Sequence, residues 1–252
     1  MNDLYPHSEF STDNFLDQGL ILTQPKNGFR AGSDAVFLAR FMNFPAKSHI
    51  LDVGCGLGGA GLCAAYKNVG IQVTGLEKQE FYSDLAHYNA RQNNLDGRFQ
   101  CQQGDVADIQ TIFPPDYFTH IITNPPFYEA GTGRKPKDQG KIMAHQGDNI
   151  SLEIWIRKSL SVLKNAGTMI MIIRTERLQD IMNALQNRAG DIQILPLISR
   201  AGGDAKRMIL SCKKASKTGT KILSPLILHQ ENSRDYTEKA QAVLSGERVL
   251  IL

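Results

Sequence analysis

The chain has 252 residues, 42% of them hydrophobic and 21% charged, with a formal net charge of +3. That length suits one large domain with small additions, and the composition is that of a soluble globular protein with a substantial core. No apolar run reaches membrane-spanning length, and the opening MNDLYPHSEFSTDNF lacks the basic-then-apolar pattern of a signal peptide.

Cys55, Cys63, Cys101 and Cys212 have the spacing of neither a zinc site nor a disulfide framework, so no metal is expected and a reducing cytoplasm is the expected location. After a polar start, residues 24–41 (QPKNGFRAGSDAVFLARF) predict a loop and then a helix capped by Ser33 or Asp34. HILDVGCG (49–56) predicts a buried strand entering a glycine-rich turn, with a helix at 58–67. IQVTGLE (71–77) and RFQCQQGD (98–105) predict two more strands, separated by a helix over 79–94. YFTHIITN (117–124) is a fourth strand, stopped by Pro125 and Pro126, which remove two backbone donors and fix two φ angles. Residues 151–164 place Leu152, Trp155, Ile156, Leu160 and Leu163 at helical spacing and lead into the strand GTMIMIIR (167–174). A helix over 176–188 and two antiparallel strands, 191–199 and 206–214, follow. This alternation predicts an α/β fold with a doubly wound, mostly parallel sheet, whose ligands lie at the carboxyl ends of its strands.

Gly54, Gly56 and Gly59 fit the spacing G-x-G-x-x-G, and Glu77 follows Gly56 by 21 positions. A carboxylate there suits the ribose hydroxyls of either a nicotinamide or an adenosyl cofactor. Asp52 helps to break the tie. A strand-end carboxylate repels a pyrophosphate in a partly dry crevice. It suits S-adenosylmethionine, which has no phosphate and whose ammonium can donate to it. The helix N-terminus after Gly56 then faces the methionine carboxylate, and Asp105 is placed to accept from the adenine amino group.

The stretch IITNPPFY holds Asn124 rigidly at a strand end beside an aromatic ring. An exocyclic amine on a nucleobase, or an amide nitrogen, is a poor nucleophile because its lone pair is delocalised. Two acceptors on its N–H groups favour the localised, tetrahedral nitrogen of the transition state. The side-chain oxygen of Asn124 and the carbonyl of Pro125 are candidates for those acceptors, with Pro126 holding them still and Phe127 stacking on a planar substrate.

Basic residues cluster in two places. Residues 131–141 carry Arg134, Lys135, Lys137 and Lys141 against Asp138. Residues 197–221 carry Arg200, Lys206, Arg207, Lys213, Lys214, Lys217 and Lys221 against Asp204. Either run is a solvated face or an anion-binding surface. Low apolar content and a net positive charge predict that residues 129–141 are mobile without substrate.

DVGCGLG, Glu77, GDV and NPPF, in this order, resemble the class I S-adenosylmethionine-dependent methyltransferases that modify amino groups. GFRAGSDAVFLARF, AKRMIL and SRDYTEKAQAVL resemble a narrower group, the bacterial tRNA1(Val) adenine-37 N6-methyltransferases. The resemblance implies a seven-stranded Rossmann-like sheet with an antiparallel last strand. It implies one methyltransferase domain over 1–252: a cofactor-covering segment (1–45), a catalytic core (46–215) and a C-terminal extension (216–252). Gly32, Ser33 and Asp34 would lie near the cofactor together with Asp52, Gly54, Cys55, Gly56, Glu77, Asp105 and Asn124. Arg134, Lys135, Lys137, Lys206 and Arg207 would grip a tRNA, or another RNA with a single-stranded target base, and the expected enzyme is a monomer. Phe127 stands where many relatives have tyrosine, which keeps ring stacking and loses a phenolic hydrogen bond. A DNA adenine, rRNA guanine or protein glutamine methyltransferase, or a non-catalytic RNA-binding protein on the same fold, stays open.

Overall fold

The polar start folds into an element that the sequence reading leaves out. In the computed structural model, which describes Tyr5, residues 8–126 and residues 150–251, β1 (Phe10–Phe15) and β2 (Leu20–Pro25) form a separate two-stranded antiparallel sheet. Its turn runs through Leu16, Asp17 and Gln18, all at positive φ (52°, 56° and 66°), and carries none of the usual hairpin dipeptides. Helix α1 (Ser33–Ala39) follows, with Gly32 rather than Ser33 or Asp34 at the N-cap position.

The expected core then appears in order: β3 (His49–Val53), α2 (Gly59–Lys67), β4 (Gln72–Glu77), α3 (Glu80–Gln92) and β5 (Phe99–Gln103). A 3₁₀ turn, the short α4 (Ile109–Ile112) and β6 (Phe118–Thr123) come next. Beyond residue 150 lie α5 (Leu152–Val162), β7 (Leu163–Arg174), α6 (Leu178–Leu185), β8 (Ala189–Ile198) and β9 (Ala205–Lys214). The helix expected over 176–188 is shorter because Asn187 turns left-handed (φ 61°) and β8 starts directly after it. The 216–252 segment adds two-residue strands β10 (Lys221–Ile222) and β11 (Leu226–Ile227) and helix α7 (Glu238–Leu244). No described helix is long and apolar enough to cross a membrane.

The main sheet has nine strands in the order β10-β8-β9-β7-β6-β3-β4-β5, with β11 beside β8. Its seven long strands include one antiparallel member, β9, which pairs with β7 and β8. Both faces are covered over the middle of the sheet, so β3, β6 and the second half of β7 are mostly apolar, whereas the edge strand β5 alternates. Successive residues serve opposite cores: Ile50 joins the side of α1, α2, α3 and α7, while Leu51 and Val53 join the side of α5 and α6. The chain runs outward from β3 through β4 to β5, then returns as β6 on the other side of β3. The crevice between the ends of β3 and β6 is thus the switch point where open α/β sheets take their ligands.

Candidate active site

The turn after β3 depends on bare backbone. Gly54 (φ +71°) and Gly56 (φ +54°) are left-handed, and a Cβ on either would strike an aromatic ring. At Gly54 it would stand 2.9 Å from Trp155 Cη2, and at Gly56 2.6 Å from Phe29 Cε1. The third turn glycine is Gly58 (φ +89°), the N-cap of α2; Gly59 is already helical and lets Ala31 approach closely.

Acids end or follow the first three core strands, as expected, but each has a protein partner. Asp52 is 2% exposed and its Oδ2 accepts from Gly61 N at 2.8 Å. It therefore supports the start of α2 from beneath, and burial pushes its carboxyl up to about 7. Glu77 accepts from Gly56 N and from Gln79 N, each at 2.9 Å. Burial raises its pKa, opposed by those backbone bonds. Asp105 caps the 3₁₀ turn through Ala107 N (2.9 Å) and pairs with Lys78 Nζ (2.8 Å). Burial pushes its pKa upward, but Lys78 and the Ala107 N–H outweigh that and hold it below the usual value. Cys55 is turned the other way: its sulfur is buried 3.5 Å from Cys101 Sγ, against β4 and β5, so only its backbone belongs to the turn.

Asn124 follows directly on β6. Its Oδ1 is fully buried and has no hydrogen-bond partner among the described residues. Behind it, Thr123 Oγ1 donates to Val53 O (2.8 Å) and accepts from Trp155 Nε1 (3.1 Å). Pro125 is buried and Pro126 exposed. Phe127, Arg134, Lys135, Lys137 and the rest of the 129–141 segment lie outside the described residues.

Gly32, Ser33 and Asp34 stand at the same end of the sheet, where Asp34 is ion-paired with Arg207. Arg207 faces Arg174 across β7 and β9. This pairing binds a residue expected at the cofactor to one expected at the substrate. It also divides the second basic run. Lys206 and Arg207 lie at the carboxyl end of β7, whereas Lys213 is opposite Thr168 near its amino end and pairs with Asp191 at 2.8 Å. Lys214 pairs with Asp116. The run expected to act as one surface is split between opposite ends of the sheet. A cavity of about 400 Å³, lined in part by Met182, Gln186 and Thr218, also lies at the amino end, far from the crevice.

Two aromatic residues of the site escape a sequence reading. Trp155 passes for one more apolar residue on α5. Phe29 lies in a loop, with its N–H bonded to Tyr82 Oη at 2.8 Å and its ring 6.0 Å from that of Tyr82. Only the unusual density of glycines opposite them could have given a signal.

A tRNA1(Val) (adenine(37)-N6)-methyltransferase from Shewanella baltica is 28% identical over 217 residues, covering 84% of this chain and 88% of its own. One from Bacteroides thetaiotaomicron is 26% identical over 192 residues, covering 74% and 77%. The crystal structure of a predicted O-methyltransferase from Agrobacterium tumefaciens superposes with a TM-score of 0.72 at 24% identity, covering 86% of this chain and 97% of its own, and so shares the fold. The family model described as methyltransferase small domain matches residues 27–195, a span that holds the glycine turn, the strand-end acids and Asn124, and the chain belongs to that family of methyltransferases.

Proposed function

We propose that the protein transfers a methyl group from S-adenosylmethionine to the exocyclic N6 of an adenine in RNA, with adenine 37 of tRNA1(Val) as the substrate. The buried Oδ1 of Asn124, which has no hydrogen-bond partner among the described residues, carries this reading. A buried acceptor without a donor costs about 1–3 kcal/mol, and an incoming N–H removes that cost.

The chain's groups fit the cofactor. The glycine turn leads through Gly58 into the N-terminus of α2, whose free N–H groups suit an anionic carboxylate. Glu77 keeps lone pairs for ribose hydroxyls beyond its two backbone bonds. Asp105, at the end of β5, can accept from an adenine amino group on the lone pairs that Ala107 and Lys78 leave open. The bound cofactor supplies an electrophilic methyl group. Asn124 Oδ1 and the Pro125 carbonyl accept from the two N–H groups of the target amine and favour its tetrahedral geometry. No strong base is needed, because the nitrogen becomes acidic only after methylation and then releases its proton to solvent. Because a base inside a duplex cannot reach Asn124, the target lies in a loop or single strand, with its nucleotide flipped out. Lys206 at the carboxyl end of the sheet, Arg134, Lys135 and Lys137 hold the neighbouring phosphates.

The test is nucleoside mass spectrometry of unmodified tRNA incubated with enzyme and methyl donor. N6-methyladenosine next to the anticodon is expected. Methyl groups on guanine, or none on tRNA, would overturn the substrate. Asn124→Ala should lower methyl transfer about a hundredfold or more, on the order of 3 kcal/mol, without changing affinity for S-adenosylhomocysteine. A fully active Asn124→Ala enzyme would overturn the mechanism.

A further inference from the structure

We infer that Trp155 is a positioning residue, which fixes the amine-accepting turn at residues 123–125 against the cofactor turn at Gly54. The inference rests on the proposed methyl transfer at Asn124 and adds a residue that acts through others.

Three contacts carry it. The indole Nε1 donates to Thr123 Oγ1 at 3.1 Å. That hydroxyl donates in turn to Val53 O at 2.8 Å, and Val53 and Thr123 are register partners across β3 and β6. The far edge of the same indole covers Gly54 so closely that no side chain could stand there. One side chain thus touches both strand ends that border the crevice, one residue before Asn124 and one residue after Val53. A tryptophan recruited only for bulk would need neither contact. Trp155 is only half-buried and belongs to neither core outright, packing against one from its edge.

The physical demand for such a residue is geometric. Methyl transfer needs donor and acceptor aligned, and a shift of about 1 Å can cost about a hundredfold in rate. Gly54 belongs to the cofactor's turn and Asn124 to the acceptor's, and the two lie on different strands. Backbone pairing between β3 and β6 ends at Val53 and Thr123. Beyond that point the indole bridges the two turns. Without its N–H, the Thr123 hydroxyl keeps one partner and the turn that carries Asn124 is less constrained.

Two measurements test this. Trp155→Ala should lower kcat about 30- to 100-fold while KM for RNA stays within about threefold, and Trp155→Phe, which keeps a ring against Gly54 without the donor, should recover part of the loss. A change in KM alone, or a Trp155→Ala enzyme within about twofold of the wild-type kcat, overturns the inference. Should Trp155→Ala fail to fold by circular dichroism, Trp155→Phe decides: full wild-type kcat overturns, a partial loss supports. Independently, the chain has a single tryptophan, so its emission in the unaltered enzyme reports this one contact. Titration with S-adenosylhomocysteine should change that emission, saturating at the affinity that calorimetry gives. Unchanged emission alongside calorimetric binding overturns the inference and leaves the cofactor reading intact. No calorimetric binding at all overturns the cofactor reading and this inference with it.

Discussion

Asp52 places a carboxyl where solvent cannot reach it. Burial raises its pKa to about 7, the Gly61 N–H opposes the rise, and the nearby Glu77 adds to it. A carboxyl raised in the folded state binds more protons folded than unfolded between pH about 4 and 7. Its contribution to stability is therefore greatest below the unfolded pKa and is lost as pH rises through 7. Asp52→Asn keeps an acceptor for Gly61 without the charge. Denaturant unfolding should show the variant gaining on the wild type between pH 4.5 and 8, by on the order of 2–4 kcal/mol. His120, whose pKa burial lowers to about 4, pulls stability the opposite way but does so in both proteins and cancels in the difference. A difference independent of pH would show that the carboxyl is ionised throughout.

At the scale of elements, the hairpin and β9 are informative. Among the described residues the inner edge of β2 pairs with no strand; Asn89 on α3 and Asn93 at its C-cap satisfy it. Asn89 accepts from Thr23 N (2.8 Å) and donates to Thr23 O and Leu57 O, both at 3.1 Å. Asn93 does the same for Ile21. Because Asn89 is fully buried, Asn89→Ala leaves three groups without partners and should cost about 2–4 kcal/mol by thermal or chemical unfolding. On β9, Lys206→Ala should weaken RNA binding and reduce its salt slope by about one, while Lys213→Ala at the other end should change neither. Equal slopes for both variants would mean that position on the strand is irrelevant. Arg207 is a poorer probe, since its loss also frees Asp34.

These elements show what sequence can and cannot convey. β3, β6 and β7 were legible because strands buried on both faces are mostly apolar. Pro125 and Pro126 marked the end of β6 by their chemistry. The hairpin was not legible, because its partners are side chains 66 to 72 residues away. Nor was the division of the cations, since charge counted along a sequence ignores that a ten-residue strand joins opposite ends of a sheet. Trp155 and Phe29 were missed because their significance lies in the glycines they cover. The acids were found at the right places, but their use in holding backbone N–H groups required the folded geometry.

On the scale of the whole molecule, the C-terminal segment closes the structure onto its beginning. Arg40, 5% exposed, donates to Arg248 O (3.4 Å) and Gly246 O (3.5 Å), just past α7. Leu250 N and Ile251 N donate to the carbonyls of Arg40 and Phe41, each at 2.9 Å. A chain ending at Ser245 loses these acceptors and the two backbone bonds to Arg40 and Phe41, and should lose about 1–3 kcal/mol. Arg40→Met in that shortened chain should restore part of it, as read by the unfolding midpoint. If the truncated chain unfolds at the wild-type midpoint, this closure adds no stability.

The link between Asp34 and Arg207 spans 173 positions, and that between Arg40 and Gly246 spans 206. On the ribosome, the first forty residues emerge long before the groups that anchor them. The hairpin must wait for α3, and α1 for β9 and the tail. Such distant closures come late, after the loop entropy has been overcome. A nascent chain halted before β9 would thus carry the glycine turn and Asn124 yet lack the anchors that seat α1 over them. Competence for its chemistry arrives only once β9 and the segment after α7 have been made.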